Sequence, residues 1–193
     1  MILSALFARI PNNSMLFLAQ IAWFILPSGS ANITAALSAR LFPKWRLPVD
    51  FGNSWRNVRI FGDHKTWRGL ITGIIAGGAV FFLQRSLSSS PFFSALELFD
   101  YKKAPWFLGF VMGFGALFGD LAKSFIKRRL AIAPGRQFII ADQIDWILGL
   151  HFVLPPFIYL NKSVILLSLV MGGLLHVAVK YIGWRNGLDV KVS

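Results

Sequence analysis

The chain contains no cysteine, which excludes disulfides, thiolate metal sites and a cysteine nucleophile and leaves its redox compartment open. Charge is scarce as well. Only 15% of the 193 residues are Asp, Glu, Lys or Arg, against roughly 25% in a soluble domain. No stretch shows the two-residue alternation of a membrane β-barrel. No GxxxxGK[ST] phosphate loop occurs, and no internal repeat of the kind frequent in transporters is visible. Acidic residues number 8 against 20 Lys and Arg, giving a net charge of +12. With no soluble domain to carry a basic face, that excess excludes nucleic acid as a partner. It reads mainly as topogenic charge near anionic headgroups.

Apolar sequence fills the chain instead: 55% of residues are hydrophobic and the mean hydropathy is +0.61. Several runs approach the ~20 residues that carry a helix across ~30 Å of hydrocarbon. The expected fold is all-α, a polytopic membrane helix bundle forming a single integral membrane domain over residues 1–193. Five transmembrane helices are expected over 14–42, 67–86, 105–129, 138–160 and 164–184. The first should break near Pro27 and Gly29, because proline removes a backbone donor and glycine tolerates the bend. Arg9 and the small residues Ser28-Gly29-Ser30-Ala31 imitate a cleavable signal peptide; the segment is expected to stay as a span.

Positive charge sets the orientation, since cytoplasmic loops retain Lys and Arg. Seven fall between Arg40 and Arg68, five between Lys123 and Arg136, and three from Lys180 onward, against five on the other side. The N-terminus is therefore expected outside and the C-terminus in the cytoplasm, with cytoplasmic loops at about 43–66 and 129–138, in a multi-pass protein of the cell membrane.

Three aspartates fall inside the spans. Counted from an outer interface at Trp106, Asp120 lies ~21 Å along the third helix, while Asp142 and Asp145 lie ~6 and ~10 Å below the inner interface. Each ionised carboxylate there costs up to ~2.5–3.5 kcal/mol, so three together require cations, metal or water. Asp120, Lys123, Ser124 and Lys127 share one helical face, and Asp142 and Asp145 share another. Carboxylates meeting at one depth could bind a divalent cation and the lysines could hold phosphate oxygens; the same residues could instead be buried ion pairs serving only helix packing. Lys65-Thr66 stands at the expected N-terminus of the second helix, where free N–H groups suit a phosphate. The series Gly69, Gly73, Gly77, the pair Gly109, Gly113 and the pair Gly115, Gly119 read as close helix packing. His151 and His176 read as hydrogen-bonding partners of neighbouring helices, and Asn32 as a polar group that could line a cavity.

The run Gly119-Asp-Leu-Ala-Lys-Ser-Phe-Ile-Lys-Arg128, then Pro134-Gly135, then Asp142-Gln-Ile-Asp145 resembles the signature of the CDP-diglyceride synthases, the phosphatidate cytidylyltransferases. Lys65-Thr-Trp-Arg-Gly69, Ala31-Asn32, Pro48-Val-Asp50-Phe-Gly52 and Ile60-Phe-Gly-Asp63 resemble the archaeal branch, the CDP-archaeol synthases. Departures from the bacterial and eukaryotic pattern are compatible with that branch: Arg68 where a glutamate is usual, Ile132-Ala133 where Lys-Asp is usual, and Arg136-Gln137-Phe138 where His-Gly-Gly is usual. The resemblance implies transfer of a cytidylyl group from CTP to an unsaturated archaeal diether glycerol phosphate, with Mg2+ as cofactor and membrane lipid as surroundings. It implies metal ligation by Asp120, Asp142 and Asp145, phosphate contacts from Lys65, Thr66, Lys123, Ser124 and Arg128, and a catalytic set of Asp120, Asp145 and Lys127. A transporter of an anionic substrate and a diacyl-lipid phosphatidate cytidylyltransferase are the competing readings. A CDP-alcohol phosphotransferase is excluded, because its Asp-Gly…Ala-Arg…Gly…Asp…Asp series is absent.

The charge distribution predicts that a tag at the C-terminus is reachable only from the cytoplasmic side and one within residues 88–90 only from outside. Impermeant labelling of both tags from the same side would remove the five-span arrangement.

Overall fold

The computed structural model describes residues 13–132 and 141–185. Residues 133–140 hold Pro134-Gly135, most of the loop expected at 129–138 and the expected start of the fourth span; these features lie outside the described residues. Among the described residues, four helices are long and apolar enough to cross a membrane: α1 Ser14–Leu41, α2 Trp67–Leu87, α4 Leu108–Arg129 and α6 Lys162–Arg185. Between them lie the short α3, Pro91–Ser94, and α5, Ala141–Val153. A two-residue hairpin, β1 Ser54–Trp55 with β2 Val58–Arg59, projects from the α1–α2 connection.

Two expected boundaries are corrected. The helix expected over 138–160 is, within the described residues, the 13-residue α5, about 20 Å long at ~1.5 Å per residue. Pro155-Pro156 stops it: neither residue has an N–H to continue the ladder, and proline disfavours helical backbone in the residue before it. The chain turns there, with the Phe157 and Ile158 amides both donating to the Leu154 carbonyl.

The expected break in the first span does not occur, and α1 runs continuously through Pro27. Pro27 cannot donate to the carbonyl four residues back, that of Trp23, yet this carbonyl accepts a 2.6 Å bond from Gln84 Nε2 on α2. A neighbouring helix therefore replaces the missing donor, as hydrocarbon demands of every freed backbone group. Gln20 Nε2 likewise donates to the Ala95 carbonyl at 2.8 Å, tying α1 to the connection between α2 and α4.

Small residues let the helices approach. A Cβ at Gly77 would stand 2.9 Å from the Gly109 carbonyl, and one at Gly119 would collide with the Asp145 carbonyl. The first contact sets α2 against α4 and the second sets α4 against α5, the packing expected of small-residue series. Phe24, Phe81, Tyr101, Leu108, Met112, Ile147 and Leu150 fill the core between them. His151 Nε2 pairs with Ser168 Oγ at 2.5 Å, linking α5 to α6.

Gln84→Leu should keep the volume of the side chain while leaving the Trp23 carbonyl without a donor. The expected loss is ~1–3 kcal/mol, read as a lower unfolding temperature of the detergent-solubilised protein. An unchanged unfolding temperature would show that Pro27 needs no external donor.

Candidate active site between α4 and α5

Three structural elements converge at the C-terminal half of α4 and the first turns of α5. From α4 come Asp120, Lys123 and Lys127, spaced so that the helical turn stacks them on one face. From α5 come Asp142 and Asp145, one turn apart. From the connection just before α2 comes Lys65. Lys123 Nζ lies 3.2 Å from Asp120 Oδ1, 3.2 Å from Asp142 Oδ1 and 2.7 Å from Asp145 Oδ2. Lys65 Nζ lies 2.6 Å from Asp120 Oδ2, and Lys127 Nζ 3.3 Å from Asp142 Oδ1. Three carboxylates and three ammonium groups thus form one network. Asp120 is its most open member, with 24% of its side chain exposed. Gly119 holds α4 against the Asp145 backbone and so brings the acids of the two helices together.

The other expected residues are placed differently. Ser124 is buried and its hydroxyl donates to the Asp120 backbone carbonyl at 2.8 Å, the local i−4 bond open to a helical serine. Thr66 is the N-cap of α2, its hydroxyl accepting from the Gly69 amide at 3.5 Å. Arg128 makes no ion pair with the three aspartates, and its Nε is buried without a hydrogen-bond partner among the described residues. Nor, among those residues, do three acidic or histidine side chains form a metal-ligating shell. The point that Asp120, Asp142 and Asp145 share is held by Lys123 Nζ. The three carboxylate oxygens within 3.2 Å of it are hard donors, the type a divalent cation takes.

Lys65 reaches Asp120 because of a residue whose role the sequence did not reveal. The Asp50 side chain is fully buried and accepts bonds from Arg59 Nη2 at 2.7 Å and from the amides of Gly52, Phe61 and Gly62 at 3.0–3.1 Å. Those bonds close the 43–66 connection around one carboxylate. Next to it, the Val49 amide donates to the Lys65 carbonyl at 2.7 Å and the Trp67 amide to the Leu47 carbonyl at 2.9 Å, fixing the backbone on both sides of Lys65. Gly52 and Gly62 take positive φ, 84° and 99°, where glycine carries no steric cost. Arg129 adds a second anchor: its guanidinium donates to the carbonyls of Trp55, Val58 and Arg59 at 2.7–3.0 Å and lies over the Trp55 and Phe125 rings. The hairpin is thereby pinned to the end of α4. The advance sign of Asp50 was its place in Pro48-Val-Asp50-Phe-Gly52, one of the runs that resemble the CDP-archaeol synthases, which gave it no role.

A protein-family model described as CarS-like, CDP-archaeol synthase, matches residues 14–192. The CDP-archaeol synthase of Thermococcus onnurineus is 34% identical over 166 residues, covering 86% of this chain and 91% of that protein. That of Archaeoglobus fulgidus is 34% identical over 174 residues, covering 86% and 92%. A solved structure, that of an intramembrane enzyme for archaeal membrane lipid biosynthesis, superposes with a TM-score of 0.64 at 30% identity, covering 82% of this chain and 91% of that one.

Burial works to raise the pKa of Asp50, but the bonds from Arg59, Phe61, Gly62 and Gly52 outweigh it and hold the carboxyl down at about 2. A depressed carboxylate stabilises the fold above its ordinary value near 3.8 and loses that contribution as pH falls through the folded-state value. Hydrogen exchange at the Phe61 and Gly62 amides, corrected for the intrinsic rate, should therefore accelerate as pH drops from about 4 toward 2. Asp50→Asn should remove the pH dependence; a dependence that survives the substitution would assign it to another group.

Proposed function

Because the chain belongs to the CDP-archaeol synthase family, we propose that the Asp120–Lys123–Asp145 network is its catalytic centre. The protein is a multi-pass membrane enzyme, a CTP-dependent nucleotidyltransferase of archaeal lipid synthesis. The proposed acceptor is an unsaturated diether glycerol phosphate, 2,3-bis-O-geranylgeranylglycerol 1-phosphate. Its phosphate oxygen attacks the α-phosphorus of CTP in line, forming one P–O bond as the bond to pyrophosphate breaks. The observation that carries this reading is the convergence of six opposite charges from three chain segments at one buried point. A packing role alone would be met by fewer groups, since a buried pair gains little over apolar contact.

The attacking oxygen is already anionic, so positioning and charge neutralisation are the tasks left to the protein. Asp120, Asp142 and Asp145 would hold a divalent cation, proposed as Mg2+; once bound, it supplies Lewis-acid neutralisation of the phosphate oxygens. Lys65 and Lys127, paired with Asp120 and Asp142, hold the polyphosphate with point charges. Thr66 fixes the first turn of α2 behind Lys65, and Ser124 acts through the backbone of Asp120. Arg128 is proposed as an outer phosphate contact.

The whole chain is proposed to form a single membrane domain that crosses five times, with α5 in the short fourth crossing. The N-terminus then lies outside, and the network and the 43–66 connection face the cytoplasm, where CTP is found.

Asp145→Asn should lower turnover by about a hundredfold or more, the loss of ~2.7 kcal/mol of transition-state stabilisation. Lys127→Met should raise the CTP concentration needed for half-maximal rate and reduce turnover. Formation of CDP-lipid from labelled CTP, Mg2+ and lipid phosphate, normalised to folded protein, measures both. Running the diether and a diacyl phosphate in parallel identifies the acceptor. An active Asp145→Asn protein would sink the assignment.

A further inference from the structure

The proposed reaction joins two anions. Lys65 and Lys127 serve the polyphosphate of CTP, so the acceptor phosphate needs donors of its own, close enough to the network for attack. The register of α6 on α5 brings such donors. His151 of α5 meets Ser168 of α6, a Cβ added at Gly172 would collide with Ile147, and one at Gly173 would touch Ile144. The two helices therefore run antiparallel, and His176, one turn beyond Gly172, reaches the level of the first turn of α5, where Asp142 stands. The charges of Lys123, Asp142 and Asp120 act on its ring, as does that of Lys180, one turn further along the same face.

His176 departs from the packing role that a histidine in an apolar span suggests. His151 uses its Nε2 on Ser168, whereas His176 Nε2 is buried without a hydrogen-bond partner among the described residues. A buried polar group left unpaired costs ~1–3 kcal/mol, so its retention calls for a reason. The rest of α6 offers a route for a lipid. Leu174, Leu175, Val177 and Val179 are exposed, while His176 and Lys180 among them are half-buried. The helix thus turns an apolar side outward and a narrow polar stripe toward the network. It packs on α5 and α1, whereas α2, which begins just after Lys65, packs on α1 and α4. Lys65 and His176 accordingly flank the network from different sides, as in-line displacement asks of the groups holding the leaving and attacking oxygens.

We propose that His176 and Lys180 form the binding site for the phosphate of the lipid acceptor. Nε2–H of the neutral imidazole donates to one phosphate oxygen and the Lys180 ammonium pairs with another, with the lipid chains lying along the apolar side of α6. The inference rests on the reading of the Asp120–Lys123–Asp145 network as the catalytic centre.

CDP-lipid formation by the full-length protein in mixed micelles, with the diether phosphate and CTP varied in turn, tests the site as a split between two KM values. His176→Leu should raise the KM for the lipid phosphate about tenfold or more, the loss of a hydrogen bond to a charged group, and leave the KM for CTP unchanged. His176→Gln, whose amide keeps an N–H donor, should recover most of that loss. Lys180→Met should shift the lipid KM in the same direction. The dephosphorylated diether, added as a competitive inhibitor, should inhibit wild type and His176→Leu alike, because it lacks the group that His176 binds. An unchanged lipid KM in His176→Leu, an equal rise in both KM values, or an equal weakening of the dephosphorylated inhibitor overturns the inference. Should His176→Leu fail to fold, an unchanged lipid KM in Lys180→Met overturns it instead. Asp145→Asn in the same assay separates the two levels: its full activity would remove the network as catalytic centre, whereas its inactivity beside an unsplit His176→Leu removes the acceptor site alone.

Discussion

Six ionised side chains at the membrane-facing core of a helical bundle persist only as a mutually neutralising set. A single buried aspartate in an apolar bundle is costly and an unpaired lysine equally so; here Asp120, Asp142 and Asp145 are paired with Lys65, Lys123 and Lys127. The rest of the architecture is organised to keep that set together. Gly119 brings α5 close enough for Asp142 and Asp145 to meet Lys123. The helical spacing of α4 stacks Asp120, Lys123 and Lys127 along one line. The last partner, Lys65, comes from outside the helices altogether, and its delivery is the task of the connection folded around Asp50.

That division of labour separates two solvents. Within the bundle, polar backbone must find partners in the protein, and Gln84 capping the carbonyl orphaned by Pro27 is the clearest case. Between α1 and α2, the 43–66 connection builds a compact unit from few residues by placing one carboxylate among amide donors and a guanidinium, a charge-assisted arrangement stronger than neutral hydrogen bonds. Arg129 then couples the two regions, since it belongs to α4 but bonds the hairpin. A disturbance in the connection is therefore transmitted to Lys65 through backbone bonds, and to the end of α4 through Arg129.

Composition and periodicity by themselves determined the membrane class, the helical character of the spans and the alignment of Asp120 with Lys123 and Lys127, because hydrophobic length and the 3.6-residue turn are local properties. The resemblance in Gly119–Arg128 and Asp142–Asp145 also named the acids that the structure gathers around Lys123. Tertiary structure alone decided the rest. Pro27 predicts a break until a second helix supplies the donor it lacks. Pro155-Pro156, a local signal that hydropathy outweighed, shortens α5. Thr66 and Ser124 read equally well as phosphate ligands or as backbone partners, and only packing shows their hydroxyls engaged with Gly69 and Asp120. Asp50, Arg129 and the position of Lys123 among three carboxylates depend on segments distant in sequence meeting in space, which no local pattern encodes.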